Sequence, residues 1–595
     1  MSNVQNKSPW YTTFFRSGHL LALSIIIILV AGLSAVSSLP RLEDPRIDLR
    51  NVLIFTSYPG ASPERVEALV SDVLEDELRE LYEIKEIKST SKAGFSSLLV
   101  ELQDWVDDSS NQQIFSKIRD SLENASAKLP VGASKPLLED KRGATAFTML
   151  ISIDAANPDT TSLSVSGRLA SELVDRVRNV PGTELVRLYG QPIEEIVVAL
   201  NPQALAAAGL SIAQVSERIR SADSKLPAGV LRTDQKNIRV QVAEPLENLD
   251  IVANIPLVAA DGSYLRLADV ATIEQSWQTP EREFAFVDGQ RTIFMAARMQ
   301  TTVRVDQWTE AVKSKIADFN AEFDGTSQAN MVFEQNEYTQ ARLTELTENL
   351  LLGSLVVMLV ILVFMGARAS WIVGLALPLC AAFAIFSLSF FDQQIHQMSI
   401  FGIIIAIGLL IDNAIVITDE IRLNLLDQNL TRLQALEKSV KHLFSPLLAS
   451  TLTTVLGFMP IFLLTGNIGD FIGAIAISVV MALLGSLAIS LTIIAALAAR
   501  YLPRDGGVGH AWYRRGWQMP AVSHQFSKLL GKLIKRPLLV LPLISIFCLS
   551  GFVLSQQLPS VFFPSADRDQ FEIYVWLPNG ASIKQTKQVA QSIDI

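Results

Sequence analysis

The sequence predicts an α-helical membrane bundle of seven spans carrying a large external α+β domain built of split βαβ, ferredoxin-like units. Three observations predict it. Seven stretches are apolar over about the 20 residues that a helix needs to cross about 30 Å of hydrocarbon. The short loops joining them alternate between rich in Lys and Arg and devoid of both. The long segment between the first two spans alternates strand-like and helix-like patterns.

Composition agrees. At 595 residues the chain exceeds what one core can serve. A mean hydropathy of +0.31 beside 18% charged residues is not the balance of an ordinary soluble enzyme. Cys380 and Cys548 both lie in apolar runs, so no disulfide is expected. A net charge of -10 speaks against nucleic acid as a partner, because a phosphate-binding surface needs a basic excess.

The first span runs from Leu20 to Leu39. A cleaved signal peptide is its alternative, but the run is long and no convincing small-residue cleavage site precedes Leu39-Pro40. The others are Leu350 to Ala367, Trp371 to Phe391, Met398 to Ile417, Leu443 to Leu464, Phe471 to Ala499 and Leu538 to Leu554. Pro378 is expected to kink the third. Lys7 and Arg16 precede the first span, Arg368 separates the second and third, and Arg422, Arg432, Lys438 and Lys441 separate the fourth and fifth. After the sixth come Arg500, Arg504, Arg514, Arg515, Lys528, Lys532, Lys535 and Arg536. The loops around Asp392 and around Asn467 to Asp470 hold no Lys or Arg. One topology satisfies them all: the N-terminus in the cytoplasm, with the segment from Pro40 to about Tyr338 outside.

In that external segment Val52 to Tyr58 reads as a strand ended by the turn Tyr58-Pro59-Gly60. Ser62 is expected to cap a helix beginning at Pro63 and Glu64, with Val66, Leu69, Val70, Val73 and Leu74 on one face. Strands Ile84 to Ser89 and Ser96 to Leu102 follow, then a helix from about Asn111 to Leu129. The same order restarts at Phe147 to Ile153, with a helix from Leu163 to Val180, a Pro181-Gly182 stop, and strands Glu184 to Tyr189 and Glu194 to Leu200. This predicts two split βαβ units, with further α/β structure from Ser211 to Val332.

An internal repeat strengthens the reading. The first span leads through Leu39-Pro40 to a strand, then Tyr58-Pro59-Gly60-Ala61-Ser62 and a helix. The seventh leads through Leu558-Pro559 to a strand, Phe571 to Leu577, then Pro578-Asn579-Gly580-Ala581-Ser582 and another helix start. The copies are offset by roughly 520 residues, as in transporters built from duplicated halves. The expected domains are a cytoplasmic N-terminus (1–19), the first span (20–39), the external domain (40–340) and spans two to six (341–500). A cytoplasmic amphipathic linker (501–537), the seventh span (538–557) and the start of a second external domain (558–595) follow. Ile595 lies inside that last helix without a cap or turn signal, which predicts a longer polypeptide, on the order of 1040 residues with about twelve spans.

The fourth span contains Gly408-Leu409-Leu410-Ile411-Asp412-Asn413-Ala414-Ile415-Val416-Ile417. A carboxylate there costs several kcal/mol unless it is protonated, paired or facing water inside the bundle, so Asp412 is the leading functional candidate. Gly408, one turn earlier, is expected to let another helix approach closely. The competing reading is that Asp412 caps a shorter helix near the cytoplasmic face or is paired for stability.

Gly408 to Val416 is similar to the fourth-span motif of the resistance-nodulation-division family, in which acidic residues belong to a proton relay. Supporting matches are Tyr58-Pro59-Gly60-Ala61, Asp261-Gly262 with Leu267-Ala268-Asp269-Val270-Ala271, Arg368-Ala369-Ser370 before the third span, and Phe563-Pro564 after the seventh. In order and spacing they cover essentially the whole chain. The resemblance implies a porter domain in the periplasm, an inner-membrane location, and drug/proton antiport powered by the proton gradient with no cofactor. It also implies a homotrimer working with a periplasmic adaptor and an outer-membrane channel, with the lipid bilayer and small-molecule substrates as further partners. Many drug-exporting members carry two adjacent aspartates where this sequence has Asp412 and Asn413. Asn413 hydrogen-bonds but carries no proton on and off, which leaves Asp412 as the evident carrier in this half and Asn413 as a hydrogen-bond partner. The family's relay lysine comes from a span that lies beyond Ile595. Heavy-metal export is the alternative within transport, because a single relay acid occurs in such relatives. An inactive fragment or a non-transporting membrane scaffold is the alternative outside it. In relatives a hairpin from the region equivalent to Pro227 to Val240 locks neighbouring subunits, and this stretch is short for it.

Glu345 and Glu348, at the polar start of the second span, match no relay position of the family and are expected to be interfacial and solvated. His19, His396, His442, His510 and His524 are scattered without metal-ligand spacing, and no metal site is expected. Met295 and Met299 fall in a strand-like stretch. There is no phosphate-binding loop of the form GxxxxGK(S/T), which argues against ATP as the energy source, and no Ser/His/Asp or Cys/His set that would suggest an enzyme. Asp505 to Lys535 mixes Trp512, Tyr513, Trp517 and Phe526 with basic residues, as an amphipathic helix on the membrane surface does.

Overall fold

The computed structural model describes residues 10–140, 146–155, 163–222, 227–232, 236–241, 248–391, 393–504, 516–517, 520–558, 570–578 and 580–593. The chain forms two compact units. One comprises Met1–Ala146, Gln300–Thr309 and Gln335–Tyr574; the other comprises Phe147–Met299, Glu310–Glu334 and Val575–Ile595.

Among the described residues of the first unit, seven helices are long and apolar enough to cross a membrane: Gly18–Ser38, Gln335–Met365, Ala367–Phe391, Gln397–Leu426, Arg432–Phe462, Gly466–Tyr501 and Pro537–Ser555. The second begins fifteen residues before the expected Leu350, because Glu337, Gln340, Ala341, Arg342, Leu343, Glu345, Leu346 and Glu348 are good helix formers that continue the helix beyond its apolar window. The third breaks between Ala367–Gly374 and Ala376–Leu388. Pro378 lacks the N–H that would bond the Gly374 carbonyl four residues back, and the break falls there. The fourth starts with a reciprocal cap between His396 and Ser399, and the fifth with one between Thr431 and Gln434.

Side-chain size sets the packing. A Cβ at Gly402 would lie 2.6 Å from Ser478 Cβ and 2.7 Å from Ile475 O, so only glycine lets the fourth and sixth spans meet there. Gly408, expected to serve that purpose, has nothing within 4 Å of a Cβ among the described residues. The glycine that admits a helix is the one whose face points into the bundle.

The same unit holds four strands, β1 (Asn51–Ser57), β2 (Ile84–Lys92), β3 (Phe95–Leu102) and β4 (Leu137–Glu139), in the order β2-β3-β1-β4 with every neighbour antiparallel. Val52, Ile54, Leu98, Val100 and Leu102 alternate inward and pack on Val66, Val70, Leu74 and Leu78 and on Ile114, Phe115, Ile118 and Leu122. Ser62 occupies the N-cap position but its hydroxyl bonds no backbone N–H, and a π turn, Glu67–Ser71, interrupts the helix that follows. The next helix is Asp108–Ser126, shifted from the expected bounds by a capping box between Asp107 and Ser110.

The second unit contains β5 (Met149–Ala155), β6 (Thr183–Tyr189), β7 (Glu194–Leu200), β8 (Pro227–Arg232), β9 (Asn237–Gln241), β10 (Pro256–Val258), β11 (Tyr264–Arg266), β12 (Ala271–Trp277), β13 (Ala285–Val287), β14 (Gln290–Met299) and β15 (Ser327–Glu334). Its main sheet runs β13-β14-β5-β15, with β6 also on β14. The sequence predicts β6 and β7 as successive strands of one unit; instead β7 leaves the sheet and pairs with β12. β14 offers β6 the fully buried Met295, Ala296 and Ala297, whereas β7 turns Val198 and Leu200 onto a separate small core of Leu205, Val215, Val252, Leu257, Leu267 and Val270. β8 and β9 pair antiparallel, from Pro227 opposite Gln241 to Arg232 opposite Asn237, across the expected Pro227 to Val240 region.

The expected strand from Phe571 to Leu577 has no strand assignment among the described residues. The helix Ile583–Ile593 follows, as expected. The linker contributes the helix Pro520–Ile534. Lys7, Asp392, Asp505, His510, Trp512, Tyr513, Arg514, Arg515, Pro559, Phe563, Pro564, Asn579 and Ile595 lie outside the described residues.

Candidate functional site

The fourth span buries Ile403, Ala406, Ile407, Leu410, Ile411, Ala414, Ile417 and Ile421, the three-and-four spacing of one helix face, against the third, fifth and sixth spans. Asp412 falls on the other side. With Ile405, Gly408, Val416, Asp419 and Leu423 it forms an exposed stripe running the length of the helix. Among the described residues it makes no hydrogen bond or ion pair.

Asn413 points inward and is 6% exposed. Its Nδ2 donates to Thr451 Oγ1 on the fifth span and to Ser486 Oγ on the sixth, each at 3.4 Å. Ser486 Oγ in turn donates to the Leu410 carbonyl at 2.6 Å. One side chain thus ties three spans together at one depth. Consecutive helical residues point about 100° apart, so the two polar residues of the motif occupy different surroundings.

Two polar clusters escape a motif search. Toward the C-terminal end of the fourth span, Asn424 Nδ2 donates to Ser439 Oγ at 2.9 Å and to Glu420 Oε1 at 3.2 Å, while His442 Nδ1 lies 3.2 Å from Glu420 Oε1. The Glu420-Asn424 spacing of four residues is a sequence signal for a shared helix face, but its partners come from another span. At the other end, Arg41 Nη2 and Arg304 Nη1 donate to the carbonyls of Val36 and Ser37 at 3.1 and 2.5 Å, capping the last turn of the first span. Asp306 bridges both guanidinium groups. The Arg304 hydrogen bond, aided by the charges of Arg304 and Arg41, holds the Asp306 carboxyl below the usual carboxylate range despite partial burial.

Glu348 lines a cavity of about 520 Å³ with Arg41, Asp306, Asn336 and Ser399, whereas Glu345 forms an exposed pair with Arg342 at 3.3 Å. His396 is buried, and its Nδ1 accepts from the Ser399 N–H at 3.3 Å; burial pushes its imidazole down to about 3. Cys380 and Cys548 are both free. Among the described residues no group of three or more His, Cys, Asp or Glu is placed to hold a metal ion.

A family model described as the AcrB/AcrD/AcrF family matches residues 11–595. The multidrug export protein AcrF of Escherichia coli K12 is 24% identical over 587 residues, covering 96% of this chain and 56% of that protein. The multidrug resistance protein MdtC of Pectobacterium carotovorum is 26% identical over 501 residues, covering 83% and 48%. The multidrug resistance protein MdtF of Escherichia coli K12 is 24% identical over 590 residues, covering 96% and 56%. The chain spans about half the length of the curated relatives it matches. With seven membrane-length helices and a family match over nearly all of its residues, this multi-pass membrane protein belongs to the AcrB/AcrD/AcrF family of resistance-nodulation-division transporters.

Proposed function

We propose that the protein exports hydrophobic or amphiphilic compounds across the cell envelope in exchange for protons, with Asp412 as the proton carrier. One observation carries this reading: a carboxyl group sits midway along an apolar span, unbonded among the described residues, on a helix whose other face is tied by Asn413. Ionised, Asp412 demands water or a cation. Protonated, it tolerates apolar neighbours. Each protonation therefore changes which surroundings its face of the fourth span can accept, and the bonds from Asn413 carry that change to the fifth and sixth spans. No cofactor is needed, since the proton gradient supplies the energy.

The names of the relatives, multidrug export and resistance proteins, support the compound class. The distribution of Lys and Arg supports an inner-membrane orientation with a cytoplasmic N-terminus and a periplasmic porter domain. The antiparallel order β2-β3-β1-β4, with a helix after β1 and another after β3, supports split βαβ, ferredoxin-like subdomains. A homotrimer working with a periplasmic adaptor and an outer-membrane channel follows from the family. Heavy-metal efflux is the second reading, favoured by the single acid of the Asp412-Asn413 pair.

The test is drug and metal susceptibility of an efflux-deficient host expressing the protein from its own locus, with Asp412→Asn in parallel. Resistance to dyes, detergents or antibiotics that disappears in the variant supports the first reading, and resistance to metal ions alone supports the second. Resistance that survives Asp412→Asn removes Asp412 from the mechanism.

A further inference from the structure

A second set of polar bonds ties the same helices to a sheet. Arg50 is the residue before β1, and its carbonyl accepts from the Leu102 N–H at 2.7 Å, so its backbone belongs to the β2-β3-β1-β4 sheet. Its side chain leaves the sheet. Nη1 lies 2.5 Å from Asp470 Oδ2 and 3.2 Å from Asn467 Oδ1, both on the first turns of the sixth span, and the side chain is only 6% exposed. The Asp48 N–H donates to the same Asp470 oxygen at 3.1 Å, and the Asp48 carboxylate lies 3.6 Å from the guanidinium. A backbone bond runs alongside: Gly466 N–H donates to the Asp104 carbonyl at 3.0 Å, and Asp104 is held by Lys85 of β2 at 3.1 Å.

Only Leu463 to Thr465 separate the fifth span from the sixth, so this clasp grips both. At the other depth the same two spans accept the hydrogen bonds of Asn413. Asp412 is therefore connected through Asn413, Thr451, Ser486 and the two spans to Asp470, and from there to Arg50 and β1. A planar guanidinium gripping a carboxylate and an amide resists both sliding and rotation, unlike an apolar contact of the same area.

We propose that Arg50 and Asp470 form a coupling clasp that transmits movement of the helix bundle to the first sheet, as positioning residues for transport. This rests on the proton-driven export reading. In the complete protein, Arg50→Ala and Asp470→Ala each lower the maximal rate of dye export about tenfold at unchanged membrane abundance, while the apparent KM moves less than about twofold. The double variant is no worse than either single one, because the two side chains act as one unit. Should the alanine variants fail to accumulate, Arg50→Lys, which keeps the charge but loses the fork, serves in their place with the same split between rate and KM. Wild-type export by the single variants, a change in KM alone, or independent multiplying losses in the double variant would overturn the clasp. Asp412→Asn run alongside separates the two ideas. Loss of export in Asp412→Asn with full export in Arg50→Ala sinks only the clasp, and export surviving Asp412→Asn sinks the proton-driven reading beneath it.

Discussion

Asp412 and Asn413 are neighbours in sequence yet face different surroundings: Asn413 is 6% exposed and bonded to two other spans, while Asp412 lies on an exposed stripe. The two positions therefore answer to different pressures. Asn413 ties the fourth span to the fifth and sixth, and Asp412 makes no such bond among the described residues.

Replacing each in turn separates these roles. Asn413→Ala removes two long hydrogen bonds and lowers stability by about 1 kcal/mol, seen as a fall of a few degrees in the melting temperature in detergent. Asp412→Asn leaves the melting temperature unchanged or raises it, because it removes a charge the span must keep out of hydrocarbon. A destabilised Asp412→Asn beside an unaffected Asn413→Ala would reverse the assignment.

The two glycines of the fourth span differ in the same way. Gly402→Ala forces a methyl group against Ser478 and the Ile475 carbonyl and costs about 1–3 kcal/mol. Gly408→Ala meets open space among the described residues and gains up to about 1 kcal/mol from helix propensity. Paired thermal unfolding of the two variants measures the contrast, and equal effects would contradict the packing described.

His396 makes stability depend on pH. Its folded value of about 3 lies below the unfolded value of about 6.5, so the unfolded chain takes the proton first. The contribution is complete above about pH 6.5 and falls by up to about 1.4 kcal/mol per pH unit between there and pH 3. His396→Asn keeps a good cap for the fourth span and removes the titration. Between pH 7.5 and 5.0 the wild-type melting temperature should fall further than that of the variant. Parallel falls would show that His396 is not the group responsible.

Asp306 acts at lower pH and for a different reason. Its folded value is depressed, chiefly by Arg304, so its contribution is present above the unfolded carboxylate value of about 3.9 and is lost as pH falls through the folded one. Asp306→Asn leaves Arg41 and Arg304 side by side without their shared anion and costs about 1–3 kcal/mol at pH 7. The gap between wild type and variant should narrow below about pH 4. A gap that stays constant with pH would point to packing and not charge.

Much of this was legible in the chain itself. Length and hydropathy located the seven membrane-length helices found among the described residues, because a helix crossing hydrocarbon must be apolar over a fixed distance wherever it packs. Alternation and turn residues located β1, β2 and β3 and the helices beside them, since period and punctuation are local properties. A carboxylate in an apolar span singles out Asp412 as a candidate without any knowledge of its neighbours, and its role stays a proposal.

Which residues meet was not written locally. The sequence could not tell that β6 would choose β14, more than a hundred residues away, over its neighbour β7, because pairing is decided by the apolar area each partner offers once folded. It singled out Gly408 as the glycine of close approach, passed over Gly402, and presented Asp412 and Asn413 as one motif. Only the rotation of the fourth span against its neighbours turned Gly402 and Asn413 inward and left Gly408 and Asp412 facing out. Arg50 and Asp470 are unremarkable in the sequence, 420 residues apart, and become partners because the fold brings the residue before β1 to the start of the sixth span. Element identity follows from local periodicity; partnership follows from long-range packing, where the same side chain is bonded, crowded or free according to what the rest of the chain puts beside it.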